Sequence, residues 1–261
     1  MTTKDAQSPV GRARHTRAIA ATGITGTALL GLSLSRRPGS PEFYCLTLGV
    51  AATWTVGALR SRQAPSTGAR GPVEATRRGV VVPVLTGAGL FALTCGAAIA
   101  TRHIPILDRA VKDVLRFADG GPAPLLILTT GANAIAEELF FRGALFSAVG
   151  ESRPVISSTI AYTATTTATR NPALVLAGAT LGALFGLQRR VSGGVLTPAL
   201  THLTWSLLTL RFLPRLVRKI GGQFRDRQVV GTIRDLVAIA TEGEPVRRQP
   251  GRRPLDAAPN R

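Results

Sequence analysis

Three intervals of this 261-residue chain, 18–35, 43–59 and 80–101, contain no Asp, Glu, Lys or Arg. A soluble domain carries polar residues in every helix and strand, because some face of each element meets water. Charge-free runs of this kind instead suit the hydrocarbon core of a bilayer, which takes roughly 20 mainly apolar residues per helical crossing. The same chain has a net charge of +18, from 32 Lys+Arg against 14 Asp+Glu. That charge gathers in connectors and ends: residues 1–17, the loop 60–79, and everything from 211 onward. Basic segments beside membrane helices set orientation by facing the cytoplasm and attract anionic lipid. The high isoelectric point therefore has a membrane explanation, and no nucleic-acid partner is expected. Cys45 and Cys95 lie inside apolar segments, where a thiol packs as a small apolar group. They support neither a disulfide framework nor a cysteine zinc site.

The expected fold is all-α: a polytopic transmembrane helix bundle of about six to eight spans, multi-pass in the cell membrane. Residues 1–17 read as a basic cytoplasmic N-terminus. Residues 18–121 hold the N-terminal transmembrane helices, at 18–35, 43–59 and 80–101, with the first read as a retained anchor rather than a cleaved signal. Between 105 and 118, Leu107, Val111, Val114, Leu115 and Ala118 recur at helical spacing while Asp108, Arg109, Lys112, Asp113 and Arg116 take the other face. That pattern predicts an amphipathic helix, either at the membrane interface or solvated in a loop. The core, 122–210, offers further helices at 122–141, 154–169, 172–188 and 194–210. The second of these is short and rich in Ser and Thr, so it should be enclosed by other helices. In the third, Gly178, Gly182 and Gly186 fall on one face and predict close helix packing. Residues 211–261 form a basic, largely disordered tail.

Charges inside an apolar helix are costly and by default mark function. The run Ala134-Ile-Ala-Glu137-Glu138-Leu-Phe-Phe-Arg142-Gly143 places two carboxylates in such a setting. Glu138 and Arg142 stand four apart in the acid-first order and can pair along the helix. Glu137 is left without a partner, which makes it a candidate general base. Asn133 lies four residues before Glu137, on its face. His202 falls within the last predicted core helix, whereas His15 and His103 sit in basic or interfacial stretches. Ser206, four residues on, shares the face of His202.

Together these residues resemble the CPBP family of intramembrane proteases, the group that contains the CAAX prenyl endopeptidases and the bacterial Abi-type membrane proteins. That family's first motif is two glutamates, three residues and an arginine, matched in full by Glu137-Glu138-Leu139-Phe140-Phe141-Arg142 and the following Gly143. Its last motif is a His followed four residues later by Asn or Asp, after a Gly- and Pro-containing approach. His202 and the run Gly193 to Pro198 match it, with Ser206 where Asn is usual. The middle motif, an aromatic residue four before a His, finds Tyr162 and Thr166, so its His is missing.

The resemblance, which covers 122–210, implies an intramembrane endopeptidase that hydrolyses peptide bonds of membrane-associated substrates with a glutamate-activated water. In family terms Glu137 activates the water, Glu138 and Arg142 hold the helix geometry, and His202 stabilises the oxyanion. Ser206, Asn133 and Thr166 are supporting positions. Whether zinc takes part stays open, since catalytic zinc uses three protein ligands plus water; Glu137, Glu138 and His202 are the candidates, and a reduced, metal-free site is the other option. The implied partners are membrane lipid and a membrane-bound peptide or protein substrate. Two rival readings are a catalytically inactive family member acting as a membrane scaffold or binding protein, and a transporter using Glu137 for protons. For the endopeptidase, Glu137 and His202 are expected to face one another across a cavity closed by the 154–169 helix.

Overall fold

A computed structural model of the chain describes residues 9–61, 75–150 and 152–242. Among these residues every regular element is helical, so the fold is an all-α bundle of membrane type. The helices are α1 (Pro9–Leu34), α2 (Pro41–Arg60), α3 (Ala75–Ala100), α4 (Pro105–Asp119), α5 (Ala123–Glu137), α6 (Phe146–Val149), α7 (Pro154–Thr167), α8 (Pro172–Ser192) and α9 (Leu196–Glu242). Between α5 and α6 the chain stays helical through a π-helical stretch, Glu138–Leu145. Proline opens α2, α4, α7 and α8, where its fixed φ suits a helix and its missing N–H costs nothing. Ser40 accepts the N–H of Phe43, and Asn171 accepts those of Ala173 and Leu174. These caps satisfy donors that the first turns of α2 and α8 leave without a helical partner.

Among the described residues four stretches, Ala13–Leu34, Pro41–Arg60, Gly79–His103 and Pro172–Ser192, are long and apolar enough to cross a membrane. Their outward positions agree, since Ile24, Leu32, Val82, Leu85, Leu93 and Leu176 are all exposed. At 14 residues α7 rises only about 21 Å, less than a hydrocarbon core of about 30 Å. It is instead enclosed as its composition suggests: α7 packs lengthwise on α8, and Ser158, Tyr162 and Thr165 are buried. The glycine stripe of α8 makes this possible. A Cβ at Gly178 would lie 2.6 Å from Thr166 Oγ1, one at Gly182 3.1 Å from Thr159 Cγ2, and one at Gly186 3.1 Å from Val155 Cγ1. We therefore expect Gly178→Leu to overpack the α7–α8 seam, at a cost of about 1–3 kcal/mol. Thermal unfolding in detergent, followed by circular dichroism, checks this as a lowered midpoint.

The centre of the bundle is built on Trp54 of α2. It is fully buried, with Phe140 and Phe141 of the π-helical stretch at 4.8 and 5.1 Å between ring centroids. On its other side lies Gly26 of α1, where any Cβ would strike the indole. Helix α4 carries the expected two faces. Ala110 and Leu115 are buried, Leu115 with Ala98 of α3 and Leu213 of α9, while Asp108–Lys112 and Asp113–Arg116 pair on the exposed side. Residues up to Val217 form one compact unit, and those from Arg218 form a second. Within 211–261, expected to be a largely disordered tail, α9 runs to Glu242. Residues 1–8, 62–74 and 243–261, which hold parts of the basic N-terminus, loop and tail, lie outside the described residues.

Candidate active site

The glutamate pair sits where α5 changes its winding. Leu126, Thr129, Ala134 and Ala136 bury the inner face of α5, and from Glu138 the helix widens, so that Phe146 N–H bonds the carbonyl of Phe141, five residues back. Such π-helical turns are uncommon and occur frequently at functional sites. Here the wider turn buries Glu138, Phe140, Phe141, Arg142 and Ala144 together. Neither Glu138 nor Arg142 exposes any surface (0%).

The two glutamates have separate partners. Arg142 Nη1 donates to Glu138 Oε1 at 3.0 Å, the pairing expected from their spacing, and Arg142 Nη2 donates to the carbonyl of Gly182 on α8 at 3.1 Å. His202 Nδ1 lies 3.0 Å from the same Glu138 Oε1. An arginine-paired carboxylate is an acceptor, so the network assigns the proton of this contact to Nδ1. Glu138 Oε2 and Arg142 Nε are buried without a hydrogen-bond partner. Glu137 is only half-buried and turns elsewhere: its Oε2 accepts the hydroxyl of Tyr162 on α7 at 2.7 Å. The two carboxylates therefore lead to different helices, Glu138 to α9 and Glu137 to α7.

His202 is 5% exposed and held on three sides. Its ring stacks on Phe185 of α8, with centroids 4.9 Å apart, and meets Trp205 at 5.9 Å. The neighbouring Thr201 accepts a hydrogen bond from Gln188 of α8, while Trp205 Nε1 donates to Thr94 Oγ1 of α3 at 2.9 Å. Gly87 lets α3 approach α9 here, since a Cβ would fall 2.8 Å from the Thr201 carbonyl. Ser206 is buried one turn beyond His202. Two other sequence-derived positions make packing contacts. Asn133 Nδ2 donates to the carbonyls of Thr47 and Thr129, tying α5 to α2. Thr166 returns its hydroxyl to the Thr163 carbonyl and faces Gly178.

His202 hydrogen-bonds Glu138 and also interacts electrostatically with the adjacent Glu137. The large cavity beside α7, about 1020 Å³, lies toward α1 and is lined by Phe140, Phe141, Ala161 and Thr165, with neither Glu137 nor His202 in its wall. Nor do Glu137, Glu138 and His202 fit a zinc centre. Among the described residues no three His, Cys, Asp or Glu side chains group as a metal site. A guanidinium, moreover, sits on the Glu138 oxygen that His202 shares.

Sequence reasoning gave no role to Arg189, which is half-buried near the end of α8. Its Nε donates to the Arg142 carbonyl at 2.8 Å, within the π-helical stretch, and its guanidinium lies over Phe146. An arginine directly after an apolar helical run was the available signal. Tyr162 takes the aromatic position of the middle motif, and its bond to Glu137 joins residues 25 apart, beyond the reach of local spacing.

No curated protein and no solved structure matches the chain. Residues 119–208 match the family described as Rce1-like, type II CAAX prenyl endopeptidase Rce1-like. This segment, about a third of the chain, runs from the end of α4 past His202 and contains both glutamates, Arg142 and Tyr162, so the match supports a membrane-protease core of the CPBP type over these residues.

Proposed function

We propose that the chain is a multi-pass endopeptidase of the cell membrane that hydrolyses a peptide bond in a membrane-associated substrate. One observation carries the reading: a half-buried glutamate with a hydroxyl donor on one oxygen stands directly beside a fully buried Glu138–Arg142–His202 cluster in an apolar bundle. Glu137 takes a proton from water as the water oxygen attacks the scissile carbonyl carbon, and the carbonyl electron pair moves onto its oxygen. Collapse of the tetrahedral intermediate breaks the C–N bond, and the leaving amine takes the proton from Glu137. Glu138 and Arg142 hold the helix in this geometry. His202, oriented by Glu138 and Phe185, flanks the reacting carbonyl. Asn133 serves the site indirectly by fixing α5 on α2.

The family description points to a prenylated cysteine as the first substrate to try. In proteoliposomes, wild-type protein is expected to cleave a quenched-fluorescent peptide carrying a farnesylated cysteine three residues from its C-terminus. Because the cluster does not fit zinc, 1,10-phenanthroline should leave the rate unchanged; inhibition reversed by added zinc would defeat the metal-free mechanism. A second reading, a catalytically inactive member that holds its substrate, draws support from Thr166, which stands where the middle His is missing and packs on Gly178. That reading prevails if neither the farnesylated peptide nor its unprenylated twin is cleaved.

A further inference from the structure

We infer that Tyr162 is the hydrogen-bond donor to the oxyanion, a catalytic role that the resemblance gives to His202. The inference rests on the endopeptidase reading and adds a residue to it. Tyr162 is the donor that meets the Glu137 carboxylate, at 2.7 Å, so a water activated by Glu137, and the carbonyl it attacks, lie within about one further hydrogen bond of the phenol. The other candidates are unsuitable. Thr166 spends its hydroxyl on the Thr163 carbonyl and faces Gly178. His202 commits Nδ1 to Glu138 and its ring face to Phe185. Arg142 places Nη1 on Glu138 and Nη2 on the Gly182 carbonyl, and its unpartnered Nε belongs to a side chain with no exposed surface.

The tyrosine ring is fixed for the task. Phe141 meets it edge-on, with centroids 5.0 Å apart at 70°, the Arg142 guanidinium lies 4.6 Å from its centroid, and it packs against Gly182, where a Cβ would come within 3.5 Å of Cδ1. A side chain held in this way keeps its O–H in place with little reorganisation during reaction, the condition under which a single donor counts most. The order of events also suits it. Before attack the hydroxyl is bonded to Glu137. When Glu137 takes the water proton its oxygen becomes a weaker acceptor, at the moment the substrate oxygen gains negative charge. The O–H then turns about the C–O bond from one acceptor to the other. Tyr162 keeps its proton throughout, and the water proton still travels by Glu137 to the leaving amine.

Tyr162→Phe keeps the ring and removes the donor. With the farnesylated peptide in proteoliposomes, kcat is expected to fall on the order of 10²- to 10³-fold, with KM within about twofold and an unchanged thermal midpoint. A purely structural tyrosine would leave kcat unchanged, and that result overturns the inference. Infrared difference spectra provide a measurement without turnover. The carboxylate band that disappears in Glu137→Gln should shift in Tyr162→Phe, and an unmoved band removes the hydrogen bond on which the role depends. Wild-type protein that shows the shift but cleaves nothing ends the proteolytic reading and the donor role together. Wild-type cleavage unimpaired in Tyr162→Phe ends the donor role alone.

Discussion

Glu137→Gln is expected to lower kcat for the farnesylated peptide by on the order of 10²- to 10⁴-fold, the usual contribution of a positioned general base. The substitution preserves shape and a carbonyl oxygen, so Tyr162 still finds an acceptor and the half-buried side chain leaves no hole. It removes the ability to take a proton from water. The fall should therefore appear in kcat and kcat/KM alike, with KM and the thermal midpoint close to wild type. Glu138→Gln provides the contrast. Glu138 holds Arg142 and His202 through one oxygen in a fully buried setting, so its neutral replacement should lower stability as well as activity. If Glu137→Gln retained a tenth or more of wild-type kcat while Glu138→Gln was inactive at full stability, the base would have to be reassigned to Glu138.

The sequence was most informative where local spacing decides the outcome. Charge-free runs gave the membrane-type bundle, alternating faces gave α4, and a four-residue glycine repeat gave the α7–α8 seam. The Glu138–Arg142 pair followed from an i, i+4 spacing and is observed at 3.0 Å. What could not be read depended on how distant helices are rotated about their axes. Glu138 and His202 are 64 residues apart, and Glu137 and Tyr162 are 25 apart; no periodicity within either segment states which of two adjacent glutamates meets which helix. The π-helical winding decides it, and the residues Glu138–Leu145 carry no breaker that would announce it: the stretch is mostly Leu, Phe and Ala, and its lone glycine, Gly143, is tolerated in helices. Similarly, Asn133 was placed on the face of Glu137 by spacing, yet its amide is drawn to the Thr47 carbonyl of a helix 86 residues away.

Arg142→Met is expected to cause the largest loss of stability, about 3–5 kcal/mol. The methionine fills part of the volume, but it leaves the Glu138 carboxylate at 0% exposure with His202 as its remaining partner, and it deprives the Gly182 carbonyl of its donor. It also removes a cation lying 4.6 and 5.3 Å from the ring centroids of Tyr162 and Phe185, contacts worth about 0.5–2 kcal/mol each. Because Arg142 joins the π-helical stretch to α8, the loss should spread to the position of Phe185 and hence to the ring of His202. The controlling measurement is a double-mutant cycle with Glu138→Gln, read from unfolding midpoints in detergent. If the penalty is mainly the stranded carboxylate, adding Glu138→Gln to Arg142→Met should restore part of the stability, giving a coupling within about 0.5–3 kcal/mol. Strict additivity would mean that Arg142 acts through Gly182 and the aromatic rings, and that Glu138 is held chiefly for His202.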